Sequence, residues 1–276
     1  MVKFIIGISD VHISNSRSLD EQDFHLTQCI NKIREIVNEK NPEEVRIVIV
    51  GDIFHNKTTV SNESICIAHD FLKEISSICK TYVIAGNHDL SLCNLEKLDS
   101  ISPIFKMSNF ENCVYLDSEL EAQSGIYEDE NIAFCLYSIF NEFMIPFNME
   151  EYKEENPDKT LIGLIHGEII GSKMDNNIST GRGIDINDFD GTDFVFAGHI
   201  HKRQEIVKNG LKAVYCGSVF QQDKGESLTE HGGIIYNVEE KTYETFNLNR
   251  GEYGYFKFVI NDFNDVMDNK EKLVNI

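Results

Sequence analysis

Three short apolar runs near the start of the chain constrain its fold most. Val2–Ser9, Val45–Val50 and Tyr82–Ala85 are dominated by apolar, largely β-branched residues and read as strands buried on both faces. Helical spacing separates them. In Glu21–Lys40, Phe24, Ile30, Ile33, Ile36 and Val37 recur on one side, and Pro42 then stops the helix. Ser61 is placed to cap a second helix, with Ser64, Ile65, Ala68, Leu72 and Ile75 in its turns. Strands alternating with helices predict an α/β fold with a largely parallel sheet covered on both sides.

The middle of the chain changes character. Cys113–Leu116 and Ile132–Ser138 read as strands with an acidic turn between them, and Asn148–Lys159 as a surface helix and loop. Leu161–Ile165 is a further strand ending at His166. Gly171–Asp193, rich in Gly, Asn and Asp, reads as a long loop, and loops of that length are usually functional. Phe194–Ala197 is a strand, followed by the short strands Gln204–Val207, Leu211–Tyr215, Gly233–Val238 and Tyr243–Asn247, which suggest antiparallel hairpins. Gly251–Gly254 looks like a boundary. Residues 1–250 then form one domain, and 251–276, with a strand at Phe256–Ile260 and helical composition at Asp262–Asn275, form the start of a small α+β module.

The polar residues fall at strand ends. The first strand leads into Asp10-x-His12, the second into Asp52, the third into Asn87-His88, a later one into His166 and the last into His199-x-His201. Strand ends on one edge of an open α/β sheet converge, so these groups should meet in space. Asp10-x-His12 alone carries little weight. Gly86-Asn87-His88-Asp89 is sharper, since this composition yields the motif by chance only about 0.004 times. Asp, His and Asn donors without thiolates suit Mn²⁺, Fe²⁺ or Zn²⁺ with open positions. There are more donors than one ion needs. Two ions sharing one carboxylate would activate water and clamp phosphate oxygens. His25, His69 and His231 lie away from this pattern and read as surface or packing histidines.

Composition sets the limits. With 25 Lys plus Arg against 46 Asp plus Glu, the net charge is −21, which excludes a plain basic nucleic-acid binder and argues against adhesion to anionic membranes. It leaves phosphate chemistry open, because bound cations reverse the local sign. The seven cysteines show no C-x-x-C pair, which predicts reduced, buried thiols in an intracellular protein of the cytoplasm, nucleoid or nucleus. No apolar stretch reaches the length of a membrane span, and the N-terminal run is too short for a signal peptide.

The order D-x-H, G-D, G-N-H-D, H, G-H-x-H resembles the calcineurin-like metallophosphoesterase superfamily, from Val2 to about Val238. The resemblance implies two mixed β-sheets in a sandwich flanked by helices. Gly51-Asp52-Ile53-Phe54-His55, FVFAGHIHKRQ at Phe194–Gln204 and YCGSVFQQDKGE at Tyr215–Glu226 resemble the double-strand-break-repair nucleases of the SbcD type. By that resemblance Asp10, His12 and His201 would hold one metal, Asn87, His166 and His199 the other, and Asp52 would bridge. His88 would protonate or stabilise the leaving group, and His55 would orient it or stabilise the transition state. Two divalent ions, Mn²⁺ foremost, are implied as cofactors. DNA and an SMC-like ATPase subunit are implied as partners. The branch forms its dimer where the helices Ser61–Lys80 and Asn94–Ile101 are expected, so a homodimer is implied. Members continue into a DNA-contacting cap, which here would begin near Tyr253 and, ending at Ile276, would be either incomplete or minimal.

Basic residues near the motifs are few. Arg182, in a Gly-Arg-Gly turn, and Lys202 are the candidates for substrate phosphate. The expected function is a Mn-dependent exonuclease and endonuclease on double-strand DNA ends, within a repair or recombination complex. The alternative is a phosphatase or small-molecule phosphodiesterase of the same superfamily. A chain this acidic would supply the catalytic centre and leave most of the hold on DNA to a partner or cap.

Overall fold

The computed structural model describes residues 1–57, 59–145, 148–174, 178–249, 251 and 253–255. Two six-stranded mixed sheets face each other. In the first, β1 (Phe4–Ile8), β2 (Val45–Val50), β3 (Thr81–Ile84) and β4 (Cys113–Tyr115) run parallel, and β11 (Gly232–Asn237) and β12 (Thr242–Asn247) extend it antiparallel beside β1. In the second, the order is β5 (Gly125–Asp129), β6 (Ile132–Tyr137), β7 (Thr160–His166), β8 (Phe194–Gly198), β10 (Leu211–Tyr215), β9 (Gln204–Lys208). Strands β6, β7, β8 and β10 are parallel neighbours, and the hairpins β5–β6 and β9–β10 close the edges. This is the sandwich the motif order implies.

The period-2 geometry of a strand explains why the central runs are apolar throughout. In β2, Val45, Ile47 and Ile49 pack towards the helices, while Val48 and Val50 pack into the layer between the sheets with Phe134, Leu136, Ile162, Leu164 and Phe196. The one charged exception, Arg46, is buried at the start of β2 and pairs with Asp129 and Glu130.

Helix α1 (Leu19–Asn38) begins at Ser18, whose side chain accepts from the Glu21 N–H, and α2 (Asn62–Ile78) begins at Ser61, which caps Ser64 in the same way. Leu26, Cys29, Ile33, Ile36 and Val37 of α1 and Ala68, Phe71, Leu72 and Ile75 of α2 cover the first sheet. His25 of α1 is a packing histidine, stacked on Phe220 with ring centroids 4.5 Å apart. Burial, and then the nearby Arg17 charge, lower its pKa to about 4. In the unfolded chain His25 titrates near its ordinary value, so between about pH 6.5 and 4 only the unfolded state takes up this proton. Its contribution to stability is present above that window and lost as the pH falls through it. Urea unfolding of His25→Phe should therefore lose less stability between pH 7 and pH 5 than the wild type. Equal losses would refute this account.

Several local expectations change. Asn94–Ile101 is not a helix but a series of turns, and the helix forms one step later as α3 (Ser102–Met107). Asp99 accepts hydrogen bonds from the Ile101 and Ser102 N–H groups, and Pro103 occupies the first turn, where its missing N–H costs nothing. The segment after β4 is not a simple acidic turn. A short helix α4 (Leu116–Glu119) leads into β5, an edge strand whose partly exposed Tyr127 and Glu128 hide its pattern. Helix α5 is confined to Met149–Glu155. Five cysteines are buried, but Cys66 and Cys93 are exposed, so the expectation of uniformly buried thiols fails. The strand and helix expected at 256–275 lie outside the described residues. Among the described residues no helix is long and apolar enough to cross a membrane.

Candidate metal centre

The site forms where the C-terminal ends of β1, β2 and β3 meet those of β7 and β8. The loops after β1 and β2 run side by side: Asp10 N donates to Gly51 O (3.1 Å), His12 N to Asp52 O (3.0 Å) and Ile13 N to Ile53 O (2.8 Å). Val50 O ties the two sheets together here, accepting from Ser9 Oγ at 2.7 Å and from His166 Nδ1 at 2.7 Å. Backbone conformation is unusual at these loops. Asp10 (φ 54°), His12 (φ 50°), Asp52 (φ 54°) and His199 (φ 96°) all occupy the left-handed region, which non-glycine residues rarely adopt and which clusters at functional sites. Gly51 (φ 79°) is required twice over, since a Cβ there would lie 2.3 Å from His166 Nδ1.

Two donor groups result. In the first, Asp10, His12 and His201 converge: the Nε2 atoms of His12 and His201 are 3.0 Å apart, and Asp10 Oδ1 lies 3.8 and 3.7 Å from them. In the second, Asn87 Oδ1 lies 3.2 Å from His166 Nε2 and 2.7 Å from His199 Nδ1. Asp52 stands between them. Its Oδ1 is 3.3 Å from His166 Nε2 and its Oδ2 is 3.6 Å from His12 Nε2. All seven expected ligands therefore gather in one place.

The electrostatics fit cation binding. Burial works against the Asp52 charge, yet His166 and then His12 hold its carboxyl well below the ordinary value. Burial drives His12 well down, and with it His199, so both present neutral imidazole. His166 is the exception: burial opposes its proton, but the Asp52 carboxylate carries it up to about 9, so a cation entering there displaces a proton. Buried carboxylates facing clustered imidazole lone pairs, with His12 Nδ1 buried and unbonded, form a donor set that suits divalent ions.

His88 and His55 lie on the rim. His88 N donates to Asp52 Oδ1 at 2.8 Å, and its Nδ1 donates to the His55 carbonyl at 2.5 Å, which leaves Nε2 available. The His88 and His55 rings lie 5.5 Å apart and 4.9 and 5.3 Å from the His12 ring, and His55 is exposed. Burial and the neighbouring His88 lower the His55 pKa. Of the basic candidates, Lys202 lines a cavity of about 200 Å³ with His201, Arg203 and His231. Arg182 is exposed on the long loop, its N–H donating to Thr180 Oγ1. That loop packs on Glu168, which precedes it: Glu168 O accepts from the Ile184 N–H at 2.9 Å, and Glu168 Oε1 is 3.9 Å from His199 Nε2.

Three supporting residues carry no assigned role in the motif reading, although Asp89 and Glu226 lie within its quoted segments. Asp89 accepts from the N–H groups of Gly86 (2.8 Å), Phe54 (2.9 Å) and Ile53 (3.3 Å), so it braces two motif loops against each other. Ser9 Oγ shares its single proton between Asp10 Oδ2, at 2.5 Å, and Val50 O. Glu226 Oε1 lies 2.6 Å from His201 Nδ1. Asp89 and Ser9 adjoin recognised ligands in the sequence, whereas nothing in the spacing links Glu226 to His201.

Residues 5–203 match the profile of the calcineurin-like phosphoesterases. The chain belongs to that family. Phosphoester hydrolysis with divalent metal ions is what membership implies for it. Among relatives, the chain is 33% identical over 260 residues to Uncharacterized protein R555 of Acanthamoeba polyphaga mimivirus, covering 92% of this chain but only 18% of that protein. It is 26% identical over 238 residues to "Putative phosphoesterase 244L" of Invertebrate iridescent virus 6, covering 84% of this chain and 74% of the relative. It is 23% identical over 304 residues to a subunit of the nuclease SbcCD of Staphylococcus epidermidis, covering 98% of this chain and 76% of the relative.

Proposed function

We propose that the chain is a Mn²⁺-dependent DNA nuclease that cleaves phosphodiesters at double-strand ends, acting with an SMC-like ATPase subunit and as a homodimer. The observation that carries the two-ion reading is Asp52, which turns one oxygen to each donor group. Asp10, His12 and His201 would hold one ion and Asn87, His166 and His199 the other. Such ions, when bound, supply Lewis-acid stabilisation of the charge gathering on a phosphodiester and lower the pKa of the attacking water.

The chain's own side chains do the rest. His88, with Nδ1 committed to the His55 carbonyl, is oriented to offer Nε2 to a leaving oxygen. His55 stands beside it to orient the phosphodiester. The exposed rim favours a polymer over a small molecule. His199 and His201 retain 27% and 22% side-chain exposure and His55 is open to solvent, whereas small-molecule sites enclose most of their ligand. The likeness to an SbcCD component supports the nuclease, while the likeness to a viral phosphoesterase leaves the monoester reading as the competitor.

The deciding assay pairs two substrates under Mn²⁺. Linear duplex DNA with 3′ or 5′ overhangs should be degraded, and a chromogenic phosphomonoester should be turned over poorly. Robust monoester hydrolysis with intact DNA would overturn the nuclease assignment.

A further inference from the structure

We propose that Glu226 is a positioning residue for His201, fixing its tautomer and strengthening it as a donor to the cation held with Asp10 and His12. This rests on reading that donor group as a metal site.

The geometry assigns the proton. Glu226 lies on the connection between β10 and β11 and its side chain is 2% exposed. Its Oε1 faces His201 Nδ1 at 2.6 Å, and a carboxylate only accepts, so Nδ1 carries the hydrogen. His201 Nε2 is thereby left as a lone pair, and it is Nε2 that faces His12 and Asp10.

The carboxylate is itself held. Gln222 N donates to Oε2 at 2.8 Å. Ser218 Oγ is 3.4 Å from the same oxygen but only 2.9 Å from His231 Nδ1. His231 Nε2 lies 2.6 Å from Ser227 O and must donate there, so its Nδ1 accepts the Ser218 proton. His231 thus has a defined place, locking the wall behind Glu226. The backbone closes the arrangement, since Ser218 N donates to His201 O at 3.1 Å.

A carboxylate behind a ligating imidazole orients the ring and raises its basicity, and its loss costs about 10–100-fold in metal affinity. In the second donor group His166 Nδ1 meets the neutral carbonyl of Val50, and the Glu168 carboxylate stands 3.9 Å from His199 Nε2, beyond hydrogen-bond distance. The two ions should therefore respond differently.

The test measures Mn²⁺ binding by calorimetry on the wild type, Glu226→Gln and Glu226→Ala. It also reads the His201 tautomer in metal-free protein by nitrogen-15 NMR. Gln matches Glu in size but lacks its charge and one acceptor oxygen, so it keeps the packing and still weakens the site. The expected result is one ion weakened about 10–100-fold and the other unchanged, with the His201 proton no longer confined to Nδ1. Wild-type affinity for both ions in Glu226→Gln, or an unchanged tautomer, would overturn the proposal. Failure of the wild type to bind Mn²⁺ would instead overturn the metal-site reading beneath it. If Glu226→Ala unfolds, Glu226→Gln alone decides.

Discussion

Asp52→Ala should strip both ions from the chain. Dialysed against Mn²⁺ and assayed by elemental analysis, the wild type should retain two ions per chain and the variant essentially none, with hydrolysis lost in parallel. The reason is geometric: Asp52 Oδ1 faces His166 and Oδ2 faces His12, so its carboxylate spans both donor groups. Removing it also removes the charge that holds the His166 proton. Retention of one tightly bound ion would show that Asp52 serves a single site. A parallel Asp52→Asn variant separates charge from shape, since it keeps an acceptor for the His88 N–H.

His88→Ala should behave in the opposite sense. Cleavage should fall by about 10²–10⁴-fold, the range for a lost general acid, while both ions stay bound. The outcome is informative because His88, His55 and His12 bring ring nitrogens within 4.8 Å of one another, an arrangement that could itself hold a cation. Two features favour chemistry over ligation: the trio contains no carboxylate, and His55 and His88 stand at the exposed rim. Metal loss on His88→Ala would reassign that residue as a ligand. Substrates with an activated leaving group should suffer less from the substitution, because a good leaving group needs no proton.

Much of the architecture is legible in the sequence because local chemistry and tertiary role agree. Val45–Val50 is found with its expected bounds, and Ser61 caps α2 as its sequence context predicts. The failures are where tertiary context overrides local pattern. Asn94–Ile101 has apolar residues at helical spacing, yet Leu95 and Leu98 are exposed and Asp99 turns the chain into α3. Strand β5 leaves no such mark because it is half-exposed at a sheet edge, without a full apolar face. Cys66 and Cys93 read as core residues by type, but their segments place them outward.

The sequence by itself determined which residues end the central strands, and so which donors the sheet must gather: strand period and parallel connection force Asp10, Asp52, Asn87, His166 and His199 to one edge. Only the tertiary structure decided how they divide. That Asp52 offers one oxygen to each group, that His88 is tied to His55 O, and that Glu226 stands behind His201 depend on loop conformations at positive φ and on contacts between residues up to 189 positions apart. Hydrogen bonds and ligand geometry act over about 3 Å, and no one-dimensional spacing encodes distances of that kind.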